Sequence, residues 1–148
     1  MYILKLIYME SFNEKYRNRS FQFAVKLVKY IMKLRESGLP YDLFSQLLKC
    51  GTSFPANFRA ATQARSDAEY YSKICITVEE CDETVFWLYL LEKSSLAERN
   101  EELVYLQKES EELVKIFSNL KQKVAKRIGK TYSPHNLIIK NPNLTPNP

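Results

Sequence analysis

Histidine is almost absent from this 148-residue chain: its one copy, His135, lies near the C-terminus. No Ser-His-Asp arrangement, Glu-x-x-His pair or two-histidine zinc site can be assembled within one copy. Ferritin-like iron centres need Glu-x-x-His pairs and are excluded with them. Glycine is nearly as scarce, with three residues, and no phosphate-cradling glycine loop occurs. The six prolines gather at loops and toward the C-terminus, so the composition favours helices over a turn-rich β fold. Three cysteines make an odd count at no framework spacing, which reads as free thiols in a reducing, cytoplasmic setting. Cys75 and Cys81 lie on one predicted helix, six positions apart, and cannot pair with each other there. Long apolar runs are missing too. Residues 1–9 (MYILKLIYM) are apolar but lack the basic start and small-residue cleavage site of a secretory signal. They also fall far short of the ~20 residues that a membrane span needs. These absences predict a non-catalytic chain with no cofactor, no bound metal and no membrane association.

Charge is present but segregated. Residues 1–66 carry 11 Lys/Arg against 4 Asp/Glu, residues 67–112 carry 4 against 13, and residues 113–148 carry 7 against none. The formal net charge is +5. Such a pattern predicts a basic end and an acidic stretch. It fits an anion-binding surface, and it equally fits solvated faces that pair across helices. The carboxylates Glu79, Glu80, Asp82 and Glu83 fall together on one predicted helix and read as a solvated or salt-bridged face rather than a cation site.

Hydrophobic periodicity predicts four helices, an N-terminal extension over residues 1–11, a bundle over 12–129 and a mobile Asn/Pro-rich tail over 130–148. The first helix is expected over residues 20–37 and stops at Gly38 and Pro40. Phe23, Leu27, Tyr30 and Leu34 form one stripe, widened by Ala24 and Ile31. Phe21, Val25, Val28 and Met32 lie on nearly the opposite side, so this helix should be buried twice over. The second helix is expected over residues 41–64, with Leu43, Leu47, Phe54, Phe58 and Ala61 inward and Gly51 on the same face. Pro55 falls in its middle and predicts a kink or break.

Ser66-Asp67-Ala68-Glu69 is a capping box that opens a third helix, expected to run to about Leu91. Its inner stripe reads Tyr71, Cys75, Val78, Asp82, Val85 and Tyr89, flanked by Ile74, Cys81 and Leu88. Ile76, Trp87 and Leu91 fall on the other side. Asp82 on an inner stripe needs partners, and Gln46, Lys49 and Thr52 of the second helix lie at its height. The fourth helix, residues 100–128, spaces Leu103, Leu106, Ser110, Leu113, Phe117, Leu120 and Val124 in threes and fours and ends at Gly129. Short loops between such helices give an all-α, antiparallel up-down-up-down four-helix bundle.

The segment from Gly51 to Leu91 carries a resemblance. Ser53 with Pro55-Ala56-Asn57, then Arg59, Ala60, Ala61, Ala64, Arg65 and Ser66, then Glu80, Asp82-Glu83-Thr84 and Trp87-Leu88 resemble the bacterial four-helix-bundle family of proteins encoded in intervening sequences of large-subunit ribosomal RNA genes. The stretch FNEKYRNRSFQFAV and the pair Gln46-Leu47 also look like that family. The resemblance implies a bundle that assembles as a homopentamer and has a link to RNA. More distantly, the chain is similar to accessory proteins of diversity-generating retroelements, which work with a reverse transcriptase.

Two functions follow as expectations. One is a module that binds RNA or another nucleic acid without sequence readout, through phosphate contacts from Arg59, Arg65, Lys73, Lys121, Lys123, Lys126 and Arg127. The last four also suit the C-terminal end of a helix dipole without any ligand. The other is a scaffold or accessory subunit for a protein partner, without nucleic acid. In both, surplus apolar surface predicts a homo-oligomer through Phe21, Val25, Val28 and Met32 of the first helix and Ile76, Trp87 and Leu91 of the third.

Overall fold

In the computed structural model, α1 spans Tyr2–Glu36, α2 Tyr41–Ala61, α3 Asp67–Lys93 and α4 Glu101–Arg127. The described residues are 1–38 and 40–129, without the side chains of Tyr2, Lys5 and Leu6, and no strand occurs among them. The tail expected over residues 130–148, with His135 and Leu137-Ile138-Ile139, lies outside the described residues.

The first helix starts far earlier than residue 20, and nothing in its backbone marks a boundary at residue 11. The reason is visible at Ser20, which is buried and donates its hydroxyl to the Tyr16 carbonyl at 2.7 Å instead of capping a new helix. Tyr16 and Phe12 continue the inner stripe one and two turns upstream of Ser20 and pack on the core. No glycine or proline precedes Gly38, so nothing stops the helix from extending. Its first turns leave Ile3, Leu4, Ile7 and Tyr8 exposed and do not fold back over the bundle. Gly38, at φ +85°, takes the left-handed conformation that ends α1.

The break expected at Pro55 is absent: α2 is one unbroken helix across it. The proline lacks one donor, which would have met the Gly51 carbonyl. The preceding turn is reinforced by the Thr52 hydroxyl, donated to the Leu48 carbonyl at 2.7 Å. α2 also ends three residues early, where Gln63 and Ala64 form tight turns back to Ala60 and Ala61.

Ser66 caps α3 by accepting from the Glu69 amide at 3.1 Å, and Glu69 reaches back to the Arg65 amide at 2.9 Å, one residue before the expected partner. At its other end the Leu96 amide reaches the Leu91 carbonyl and the Ser95 amide reaches Glu92, with Ser95 at φ +57°. This is a Schellman closure built on a serine. α4 starts where Asn100 accepts from the Leu103 amide at 2.9 Å, and all seven of its expected inner residues are buried.

α2 packs most extensively on α3 and α3 on α4, while α1 closes the ring against α2 and, least extensively, α4. The result is the expected antiparallel four-helix bundle. Its centre is aromatic: Phe54 sits between Phe23 and Phe117 with ring centroids 5.4 and 6.3 Å apart, and Phe58 lies 4.7 Å from Phe117. Tilted rings of this kind add to the area they bury.

The inner face of α3 is rotated from its expected position. Tyr70, Ile74, Thr77, Cys81, Thr84, Leu88 and Leu91 form a spacing of fours and threes and are all buried, with Val78, Asp82 and Val85 beside them. Asp82 is buried as expected, at 2% exposed. Tyr89, two turns on along the same face, donates to Glu111 of α4 at 2.6 Å, so this stripe reaches α4.

Candidate functional site

In an up-down-up-down bundle α2 and α4 run in the same direction, so their C-terminal ends share one end of the molecule. Arg59 is exposed on the last turn of α2, and Arg65 is exposed in the loop that follows. Lys121, Lys123, Lys126 and Arg127 crowd the end of α4, of which Lys121 is half-buried and the other three are exposed. Arg127 reaches across to Asp67, the first residue of α3, at 2.6 Å and ties the two helix ends together. Tyr70 donates to Asn13 of α1 at 3.5 Å in the same region. Burial pushes the Tyr70 hydroxyl up to about 12 against the pull of Arg127. Lys73, half-buried, lies on α3 within two turns of this end. The bundle thus brings the expected basic residues to one end, and one of them, Arg127, is partly neutralised by an ion pair.

The other end is acidic and internally paired. Glu92, at the end of α3, accepts from Gln107 of α4 and from Arg99, each at 2.6 Å. The Gln107 bond, then Arg99, hold its carboxyl below the usual range. Among the described residues no group of three or more His, Cys, Asp and Glu side chains comes together to hold a metal ion. No described helix is long and apolar enough to cross a membrane. The three cysteines form no disulfide. Burial pushes the Cys50 thiol up to about 12.

Two faces lie on the outside of the bundle, and Trp87 of the second also packs against the core. Between α1 and α2 runs a surface groove of about 540 Å³, lined by Phe21, Ala24, Val25 and Val28 of α1 and by Thr52, Pro55 and Ala56 of α2. Arg17, Lys29 and Arg59 stand on it as well. Phe21 is 57% exposed and Met32, farther along the same side of α1, 49%. The second face is the side of α3 opposite Cys81, which carries Ile76, Glu79, Glu80, Glu83, Phe86, Trp87 and Leu90 within about a third of the helix circumference. Trp87 is half-buried and donates its indole N–H to Glu83 at 3.1 Å. Burial, then the neighbouring charge of Glu83, raises the Glu80 carboxyl, while Lys49 of α2 lowers it.

One residue expected on this second face is not there. Leu91 is 1% exposed and packs in the core, because the buried face of α3 is rotated toward α2. Phe86 and Leu90, which the sequence reading passed over, are exposed in its place. Arg17 and Lys29 at the groove were missed likewise. Their signal was spacing alone, one turn from Phe21 and Val25 on the outer side of α1.

The sequence matches the 23S rRNA-intervening sequence protein family over residues 13–119. Among solved structures, the chain is similar to a protein of unknown function from the S23 ribosomal protein family of Bacteroides thetaiotaomicron, at 31% identity and a TM-score of 0.67. The similarity covers 72% of this chain and 97% of that one. No curated protein matches it. With its four-helix bundle and a match across most of its length, the chain belongs to the 23S rRNA-intervening sequence protein family.

Proposed function

We propose that this protein is a non-catalytic, self-associating helical bundle that holds RNA, or another nucleic acid, by its phosphates at the basic end. The observation that carries this reading is the gathering of Arg59, Arg65, Lys121, Lys123 and Lys126 around the ends of α2 and α4, with no carboxylate in the sequence after Glu112. The family's name, which ties its members to 23S rRNA intervening sequences, supports the choice of RNA. Five copies, as the resemblance implies, would repeat the basic end around a ring and multiply its phosphate contacts. No aromatic side chain alternates with these cations, so the contacts would follow backbone geometry rather than base identity.

Anisotropy of a labelled structured RNA, titrated at several salt concentrations, tests this. About five phosphate contacts should lower affinity on the order of 10²-fold between roughly 50 and 200 mM salt. Joint replacement of Lys121, Lys123 and Lys126 by Glu should abolish binding at low salt. Affinity that ignores salt, or that survives this replacement, overturns the reading. The apolar groove favours a second reading, in which the bundle is a scaffold or an accessory subunit, for example of a reverse transcriptase. That reading expects no salt-steep RNA binding.

A further inference from the structure

We infer that the groove between α1 and α2 receives the outer face of α3 from a second copy of this chain. The inference rests on the self-association proposed above and names the two surfaces that meet. The groove has an apolar floor that includes Phe21, Val28 and Pro55, with Arg17, Lys29 and Arg59 around it. The face of α3 has the complementary make-up. Ile76, Trp87 and Leu90 supply apolar surface, and Glu79 and Glu83 supply negative charge between them. Lengths agree as well. At about 1.5 Å per helical residue, Arg17 to Lys29 spans about 18 Å of α1 and Ile76 to Leu90 about 21 Å of α3.

Charge decides against the symmetric alternatives. Groove against groove would bring Arg17, Lys29 and Arg59 toward their own copies, and α3 against α3 would oppose the Glu79 and Glu83 pairs. Groove against α3 turns both repulsions into attractions. Nucleic acid fits the cations around the groove but not its floor, where Phe21, Val28 and Pro55 offer phosphate no donor. Because the two surfaces are different and lie on different helices, each copy offers one of each. Such contacts run head to tail, and they close into a ring when the rotation between copies allows it.

Sedimentation of the full chain, alone and in mixtures, tests this. The wild type should sediment as an oligomer at micromolar concentration. Val28→Glu in the groove and Leu90→Lys on α3 should each give a monomer that retains its helical circular dichroism. Should Val28→Glu fail to fold, Phe21→Ser at the most exposed floor position replaces it. An equimolar mixture of the groove and α3 variants should associate although each alone does not, since each contributes the surface that the other has lost. A wild-type monomer overturns both this pairing and the self-association beneath it. A wild-type oligomer that persists in Leu90→Lys overturns the pairing alone and points to groove against groove. One that persists in Val28→Glu does so in favour of α3 against α3. A mixture that stays monomeric also overturns the pairing.

Discussion

Single positions settle much of this bundle. Gly51 lies where α2 approaches α1 and α3, and a Cβ built there overlaps Leu27 Cδ2 and comes within 3.6 Å of Thr84 Cγ2. Leu27 is fully buried, so it has little room to swing away. Gly51→Ala gains about 1 kcal/mol of helix propensity but incurs overpacking of about 1–3 kcal/mol. A net loss of stability is expected in urea denaturation. A second change, Leu27→Ala, should cost less in the Gly51→Ala background than in the wild type, since the two share one volume. Stability that rises on Gly51→Ala would show that the close approach is not tight. The same crowding explains why α3 presents Thr84 to this contact, and hence why Leu91, two turns on, is drawn into the core.

Among the elements, α1 joins the shared apolar core through Phe23, Leu27, Tyr30 and Ile31. Its seam with α4 also carries a row of charged contacts. Arg19 grips Glu109 with two bonds of 2.6 and 2.9 Å and also contacts Glu112. Lys33 pairs with Glu102 at 2.6 Å, and Lys26 stands 3.8 Å from the centre of the Tyr105 ring. The Glu109 bond is the main reason that the Arg19 guanidinium is held above its ordinary range. Glu109 is largely buried and Glu112 is not, so the two carboxylates are unequal. Glu109→Gln should cost about 1–2 kcal/mol in chemical denaturation, as a paired, mostly buried charge does. Glu112→Gln should cost less than about 0.5 kcal/mol, as an exposed pair does. Equal losses would mean that burial does not set the strength of this seam. Two serines show how far elements were legible. Ser66 follows the end of one helix and precedes Glu69, and it caps as read. Ser20 has the same chemistry but sits on a stripe that Phe12 and Tyr16 continue upstream, so its hydroxyl turns back into a helix already under way.

The molecule as a whole should be sensitive to alkali. Cys50, ordinarily near 9, and Tyr30 and Tyr70, ordinarily near 10, are each pushed to about 12, chiefly by burial. Their folded-state values lie above the unfolded ones, so between pH 9 and 12 the unfolded chain releases protons that the fold retains. Stability is therefore complete below about pH 9 and falls as pH rises, by up to about 1.4 kcal/mol per pH unit for each group inside its window. Urea midpoints between about pH 8 and 11 measure this, and a flat profile would contradict it.

Composition and periodicity alone determined that four helices form, and for α4 they determined which residues turn inward. Its apolar positions lie on one side and its charges on the other, so no competing face exists. The gathering of basic residues at one end was half-legible: the charge blocks show in the sequence, but only the parallel course of α2 and α4 brings Arg59 to the same end as Lys121–Arg127. For α3 the sequence offers apolar residues on both sides, and hydropathy ranks Phe86 and Leu90 above Thr77 and Thr84. The fold buries the threonines and exposes the phenylalanine and leucine. Shape decides there rather than hydrophobicity, because a face that meets Gly51 and Leu27 at close range accepts a small β-branched side chain and has no volume for a ring.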